Sequence, residues 1–469
     1  VAPLTTSPRA RDTVFRRMSS PSYPTIGGTQ DVFFDRATSR FLPRIVAGKG
    51  IYLFDEHGRR LLDACSGPFL AGLGQGNERV LRAMINQGRT LTYTYSRTTR
   101  HDANSMLSER LASLAGHGFE RVHLTSGGSE AVEMALKFLR AHAVSCGGSE
   151  RSRVISLLPG YHGATLQTIG LNGDVNVRAQ WGDMTVYSEK VPAPLTFRAE
   201  SPEAAASTSL AALEALIERI GGERVLAFVM EPVGGQASGA NIAHPSFGRG
   251  VRALCDRHGI RLVYDECVSA FRTGYFLAAH ADPKALPDVA VLAKGLGAGY
   301  VPLGAMLVSA ALVEELAATT GFTVSHSYDA NPIACAVGAA VLDEIVERDL
   351  IEQASRAGDY LRSGLEDIAK ESPLIGDVRG RGLLLAIELV ADKDTLKKFP
   401  RDLDPGAVVL RHGLDNGLLL YSRRQNGGQF GDWLMICPPL VVGNDDCDEL
   451  LSGLRAAISA ATNELLPHS

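Results

Sequence analysis

The sequence predicts an α/β protein, with a large domain on a mostly parallel sheet flanked by helices and a smaller α+β domain drawn from the two ends of the chain. Three observations predict it. Between about residues 120 and 310, short apolar runs alternate with longer helical patterns. Strands apolar on both faces need helices on both sides, the habit of parallel sheets. Beyond residue 332, strands and helices continue without that strict alternation. Finally, 469 residues exceed the size at which one core stops growing, and 45% hydrophobic residues are enough to bury one.

In chain order, roughly the first forty residues are rich in Ser, Pro and Arg and read as an arm. Gly50-Ile51-Tyr52-Leu53-Phe54-Asp55, a turn at Glu56-His57-Gly58 and Arg60-Leu61-Leu62-Asp63 read as a hairpin. Arg121-Val122-His123-Leu124-Thr125 is a predicted strand and residues 130–143 a helix. Further strands are expected at 154–158, 225–230, 261–265, 289–293 and 304–308, with helices at 210–220 and 248–258. Residues 332–371 are helical in pattern. A strand at 383–390, a helix near 405–415, strands near 418–421 and 433–437 and a helix over about 445–462 complete the chain. The expected units are an N-terminal arm (1–45), the N-terminal part of the small domain (46–90), the large domain (91–335) and the C-terminal small domain (336–469).

Charge and composition exclude several function classes. Lys and Arg total 47 against 52 Asp and Glu, a net charge of −5, so no basic field points to nucleic acid or an anionic membrane. No apolar stretch reaches the ~18–20 residues a membrane helix needs. Arg9, Arg11, Arg16 and Arg17 precede no apolar run, which argues against a secretory signal, and Asp12 and Asp31 weigh against an organelle transit segment. The seven cysteines are scattered, with no C-x-x-C pair. They read as free thiols of a cytoplasmic protein, with no disulfide framework and no metal site expected.

Four features carry chemistry. Lys294 follows a wholly apolar strand and precedes Gly295-Leu296-Gly297-Ala298-Gly299. Such a lysine either supplies the neutral amine that imine chemistry needs or snorkels to solvent. Asp265 ends the strand Arg261-Leu262-Val263-Tyr264, where it either holds a proton on a facing ring nitrogen or caps a turn. Thr125-Ser126-Gly127-Gly128-Ser129-Glu130 joins strand to helix, as a phosphate cradle or as ordinary capping. It lacks the G-x-G-x-x-G spacing, which disfavours a nicotinamide oxidoreductase. Tyr161-His162-Gly163 puts an aromatic at a strand exit, against a planar ligand or packed on the surface. Together the four fit one ligand with a phosphate, a flat ring, a ring nitrogen and an aldehyde, namely pyridoxal 5′-phosphate.

With these residues in place, the sequence resembles the class III aminotransferases of the fold-type I pyridoxal-phosphate enzymes, from about residue 45 to 460. Gly48-Lys49-Gly50 through Asp63-Ala64-Cys65-Ser66-Gly67 is similar to the family's opening hairpin. The resemblance implies a seven-stranded, mostly parallel sheet. It implies Gly128 and Ser129 as phosphate ligands, Tyr161 stacked on the ring, Glu231 of Glu231-Pro232 near the cofactor, Asp265 on the pyridine nitrogen and Lys294 as the Schiff-base lysine. His326-Ser327-Tyr328 to Asn331-Pro332 resembles a segment that crosses the dimer interface, which implies a homodimer with Ser327 at the other subunit's phosphate.

Three positions depart from the family pattern. Cys267 stands where Val usually packs on the ring face, residues 269–274 form a segment one residue shorter than the common form, and Ser327 replaces a frequent Thr. None removes a required chemical group.

The resemblance implies a ping-pong transaminase that moves an amino group from an ω-amine or a β- or γ-amino acid to a keto acid such as pyruvate. Arg423 and Arg424 resemble the family's movable carboxylate-binding arginine region, and the insert 425–432 leaves open which of them enters the pocket. Two surface arginines on a loop are the other reading. Phe69 and Tyr95 are candidates for lining the amine pocket or for ordinary packing. A mutase or a decarboxylating transaminase would use the same cofactor residues, differing in the need for a separate keto acid and in CO2 release. A catalytically silent cofactor-binding protein is opposed by the retention of Lys294 and Asp265.

Overall fold

The structure is a computed structural model that describes residues 42–174, 179–185 and 188–466. The arm expected over residues 1–45 lies, through residue 41, outside the described residues. The chain divides into two compact units, Val1–Arg44 and Ile45–Ser469, and the second carries everything described below.

Among the described residues there are fifteen strands: β1 Ile45–Lys49, β2 Tyr52–Asp55, β3 Arg60–Asp63, β4 Arg121–Thr125, β5 Arg153–Leu158, β6 Glu189–Pro192, β7 Val225–Met230, β8 Arg261–Asp265, β9 Val289–Leu292, β10 Gly304–Val308, β11 Ile375–Arg381, β12 Leu384–Leu389, β13 Leu418–Leu419, β14 Tyr421–Ser422 and β15 Asp432–Ile436. Seven of them form the central sheet in the order β4-β10-β9-β8-β7-β5-β6. Six run the same way, and β10 alone is antiparallel to its neighbours, with Gly304 opposite Thr125 and Ala305 opposite Leu292. The mostly parallel sheet expected from the sequence is therefore present, with one reversed strand.

The runs Val-Leu-Ala-Phe-Val-Met of β7 and Val-Ala-Val-Leu of β9 are buried at every position, because helices cover both faces. On one face Val229, Val263 and Val291 pack with Ala131, Ala135 and Leu139 of the helix Gly128–Ser145. On the other, Phe228, Leu262 and Ala290 join Leu213 and Leu216 of Pro202–Ile220 and Val251 and Leu254 of Pro245–His258 in one core. These two helices begin earlier than expected, at 202 and 245, because each opens on proline behind a capping side chain: Ser201 accepts from the Ala204 amide and His244 from that of Ser246.

Two further sheets complete the unit. In one, β1, β2 and β3 pair antiparallel and β13 adds parallel to β3, Leu418 opposite Leu62, so the two ends of the chain meet in one sheet. The other has the order β11-β12-β15-β14 and is antiparallel throughout. The segment 332–371, read as helical, forms two helices, Pro332–Glu347 and Leu350–Glu371. β6 and β11, which no sequence pattern singled out, supply an edge strand to their sheets.

Candidate active site

Because six strands are parallel, their carboxyl ends share one edge of the central sheet, and β10, running the other way, begins there. A cavity of about 430 Å3 opens at this edge. Gly128, Ser129, Tyr161, Glu231, Asp265, Cys267 and Lys294 line it. Residues separated by up to 166 positions in the sequence thus meet at one place.

At one end, the turn after β4 is clamped from below. Glu130 accepts from the Ser126 amide at 3.0 Å and from its hydroxyl at 2.5 Å, and the Thr125 hydroxyl donates to the Gly127 carbonyl at 3.0 Å. The helix Gly128–Ser145 starts from this turn. Its first amides have no intrahelical acceptor, and they and its positive dipole end face the cavity in an arrangement suited to an anion. The Ser129 hydroxyl accepts from the Ala164 amide at 3.0 Å, which leaves its own proton for an acceptor in the cavity. Bare backbone is required at two points here. A Cβ on Gly128 would lie 2.9 Å from Cys267 Sγ, and one on Gly163, where φ is +137°, would lie 2.5 Å from Ser129 Oγ.

Asp265 ends β8 and is buried. Its Oδ1 accepts from the Cys267 amide at 3.1 Å, and its Oδ2 lies 3.0 Å from Nδ1 of the buried His162. Burial works to raise its pKa, but the hydrogen bond and charge of His162, followed by Lys294 and Cys267, prevail and hold it below the usual carboxylate range. Glu231, at the end of β7, accepts from the amides of Tyr161 (3.2 Å) and Gly235 (2.9 Å). Burial pushes its pKa up against the opposing field of His162. Glu266 takes no part in lining the cavity. It is fully buried and accepts from Ser269 Oγ (2.5 Å) and the amides of Ala278 (2.9 Å) and Ala279 (2.8 Å), pinning the chain that follows Asp265.

Lys294 follows β9 at φ +42°, a left-handed conformation that L-residues adopt only where surrounding structure imposes it. Its side chain is half-buried on the cavity wall. The burial expected around it is thus partial.

The remaining expected site residues are placed differently. Arg423 lies over the Tyr161 ring, 4.9 Å from its centroid, and has no carboxylate partner among the described residues. Arg424 is tied down elsewhere: Nε is 2.8 Å from Asp432 Oδ1, and its other nitrogens donate to the carbonyls of Pro400 (2.9 Å) and Leu403. Phe69 is buried, edge-on to Tyr421 with centroids 5.2 Å apart, and it is its neighbour Leu70 that reaches the cavity. Tyr95 is exposed, its hydroxyl 3.3 Å from Ser325 Oγ, and does not line the cavity. Ser327 is exposed and also outside it. Two contributors were not foreseen. His162 was visible only as part of a tripeptide, and the wall Tyr300-Val301-Pro302-Leu303 leads into the reversed strand β10. Tyr300 fixes that wall by donating to the Gly74 carbonyl at 3.1 Å and accepting from the Asn77 amide at 2.7 Å.

This donor set fits pyridoxal phosphate. The helix amino end and Ser129 suit its phosphate, Tyr161 and Cys267 its ring, the ionised Asp265 its ring nitrogen and Lys294 its aldehyde. The close approach of Gly128 and Gly163 to neighbouring side chains keeps the cradle narrow enough for backbone amides to reach a phosphate.

Comparison with known proteins agrees. The family model for class-III aminotransferases matches residues 33–458. An uncharacterized aminotransferase of Schizosaccharomyces pombe is 32% identical over 435 residues, covering 90% of this chain and 94% of the relative. A putrescine–pyruvate aminotransferase of Pseudomonas aeruginosa is 30% identical over 429 residues, covering 90% and 91%. The solved structure of an amine transaminase from an uncultivated Pseudomonas species, in its PLP-bound form, superimposes with a TM-score of 0.86 at 30% identity, over 92% of this chain and 98% of that one. The chain therefore belongs to the class-III aminotransferases, pyridoxal-phosphate enzymes of fold type I.

Proposed function

We propose that this aminotransferase takes the amino group of an ω-amine, or of a β- or γ-amino acid, and gives it to a keto acid such as pyruvate, the donor's carbonyl product leaving before the acceptor enters. The observation that carries the reading is Arg423: an arginine outside the cavity lining, with no carboxylate partner among the described residues, lying over the ring of Tyr161, which does line the cavity. A guanidinium there clamps the acceptor's carboxylate and can swing out over the aromatic ring when an uncharged donor chain enters. The name of the putrescine–pyruvate relative supports an ω-amine paired with pyruvate.

In this reading Lys294 would hold the cofactor through its aldehyde, and its amine would carry the proton away from the donor's amine-bearing carbon. Asp265 would hold the ring nitrogen protonated, with His162 keeping Asp265 ionised. When bound, the cofactor withdraws electrons from the carbon that loses its proton. Leu70, Val268 and the wall 300–303 would give the donor a largely apolar lining. We further propose that the enzyme works as a homodimer in which Ser327 reaches the phosphate held by a second copy. Its exposure, beside the exposed Tyr328 and Tyr93, whose rings pack edge-on at 6.4 Å, supports this.

The test is to incubate the purified holoenzyme with pyruvate and a panel of ω-amines, β-amino acids and α-amino acids and to measure alanine. Alanine formed from ω-amines, with parallel double-reciprocal lines, is expected. Turnover confined to α-amino acids, or intersecting lines, overturns the proposal.

A further inference from the structure

The helix Gly128–Ser145 presents its amino end to the cofactor cavity, while its carboxyl end carries a donor set the transamination does not use. His142 lies in its last turn and Cys146, four residues on, is its capping residue. Glu315 comes from the neighbouring helix Ala310–Ala317. His142 Nε2 is 2.8 Å from Glu315 Oε2 and 3.8 Å from Cys146 Sγ, and the three donor atoms all lie within 4.8 Å of one another. Among the described residues no other three His, Cys, Asp or Glu side chains converge in this way.

We propose that His142, Cys146 and Glu315 form a binding site for one divalent transition-metal ion of the Zn2+ class, with water as the fourth ligand. A tetrahedral Zn2+ with bonds of about 2.0–2.3 Å holds its donors roughly 3.3–3.6 Å apart. The observed separations of 2.8 and 3.8 Å bracket that spacing, and Cys146 and Glu315 are exposed and free to adjust while His142 is buried and held. The charges match as well. A thiolate and a carboxylate balance the dication, and the last carbonyls of the helix add their negative end. Arg151 and Arg261 line a hollow of about 130 Å3 together with His142 and Cys146, but are committed elsewhere. Arg151 donates to the carbonyls of Gly222, Val225 and His258, and Arg261 pairs with Asp288 at 3.1 Å. Binding replaces the thiol proton of Cys146 by the metal and releases that proton to solvent. The ion would tie together two helices at the end of the cofactor helix remote from the phosphate.

Zinc ion alone, titrated into the holoenzyme in competition with a chromophoric chelator, tests the proposal. One Zn2+ per chain is expected, with one proton released into weakly buffered solution. Cys146→Ser and Glu315→Gln are each expected to weaken binding by at least the roughly 10–100-fold that loss of an outer-shell partner costs. Transamination without added metal and the circular dichroism of both variants should stay as in the wild type, since both side chains are exposed and neither lines the cavity. Wild-type protein that binds no Zn2+ overturns the proposal, and so does Cys146→Ser protein that binds it as tightly as before, through Cys267 or any other thiol.

Discussion

Asp265 Oδ2 and His162 Nδ1 face each other 3.0 Å apart, with both side chains buried. An ionised carboxylate can only accept, so the proton of this contact sits on Nδ1 whatever the charge of the ring. The backbone that carries the imidazole is held in place: the His162 amide donates to Asn172 Oδ1 at 2.6 Å, and Asn172 Nδ2 donates to the Gly163 carbonyl at 2.8 Å. Asp265, proposed above as the acidic partner of the cofactor's ring nitrogen, is therefore kept ionised by a histidine 103 residues earlier in the chain.

Removing that donor should raise the pKa of Asp265. In His162→Leu, burial of the carboxylate is opposed only by Lys294 and Cys267. The acid limb of the kcat/KM profile should move to higher pH and kcat should fall by about 10–100-fold, the usual cost of an outer-shell partner. His162→Asn, which can donate through Nδ2, should recover part of both. An acid limb unmoved in His162→Leu would reduce His162 to packing. The sign for stability follows from the same shift. Asp265 is depressed in the folded state, so its stabilisation is present above the unfolded value of about 3.9 and is lost as pH falls through the folded value.

Gly163 and Gly127 make a matched pair. At Gly163, φ is +137° and an added Cβ would meet Ser129 Oγ at 2.5 Å and Thr168 Oγ1 at 2.6 Å. At Gly127 the backbone is extended, φ 173°, and nothing lies within 4 Å. Gly163→Ala should cost about 1–3 kcal/mol and displace the Ser129 hydroxyl, weakening pyridoxal-phosphate binding to the apoenzyme. Gly127→Ala should change stability by less than about 0.5 kcal/mol. Fluorescence titration with the cofactor and thermal melts check both, and equal behaviour of the two variants would refute the steric account.

Strands of the central sheet such as β7 and β9 were legible because they are apolar at every position, and the glycine, aspartate and lysine at strand ends were legible as chemistry out of place beside such runs. What the sequence hid has physical causes. A fully buried strand reads the same in either direction, so the reversal of β10, which swings residues 300–303 onto the cavity, leaves no local mark. The partner of His162 lies far away in sequence, and one histidine in a turn looks like any other. Arg423 and Arg424 are chemically identical neighbours, and only the fold separates the one over Tyr161 from the one bound to Asp432. β6 has a single buried residue, Val191, and so offers too little apolar pattern to be seen.

Glu266 should make stability depend on pH in the neutral range. Burial raises its pKa to about 7, against the help of Ser269 and the two backbone amides. Its folded value lies above its unfolded one, so its contribution is fully present below about pH 4.5 and is lost as pH rises through about 7. The loss is of order 3 kcal/mol. Glu266→Gln keeps the shape without the charge. The melting temperature of the wild type should therefore fall relative to the variant between pH 5 and 8, whereas parallel curves would show that the carboxyl does not titrate there.

Lys294→Ala should bind pyridoxal phosphate through the remaining contacts yet show neither turnover nor the visible absorbance of covalently held cofactor. Turnover at the wild-type rate would remove Lys294 from the chemistry.

The two adjacent arginines should fail in opposite ways. Arg424 and Asp432 form a buried pair, with side-chain exposures of 8% and 2%, and burial, only partly countered by Arg424, already lifts Asp432 to about 6. Arg424→Ala strips away the compensating charge and leaves a buried carboxylate alone, a change that typically costs about 3–5 kcal/mol. The melting temperature should drop while the KM for pyruvate in the folded fraction stays put. Arg423 has no such partner, so Arg423→Ala should leave the melting temperature alone. It should instead forfeit a charge-assisted hydrogen bond to the acceptor's carboxylate, about 1.5–3 kcal/mol, raising the KM for pyruvate by roughly 10–100-fold. The KM for an uncharged ω-amine donor should hardly change in the same variant, because the guanidinium has nothing to clamp on that substrate. If Arg423→Ala raises both constants alike, the arginine shapes the pocket as a whole, and carboxylate recognition has to be sought elsewhere on the cavity wall.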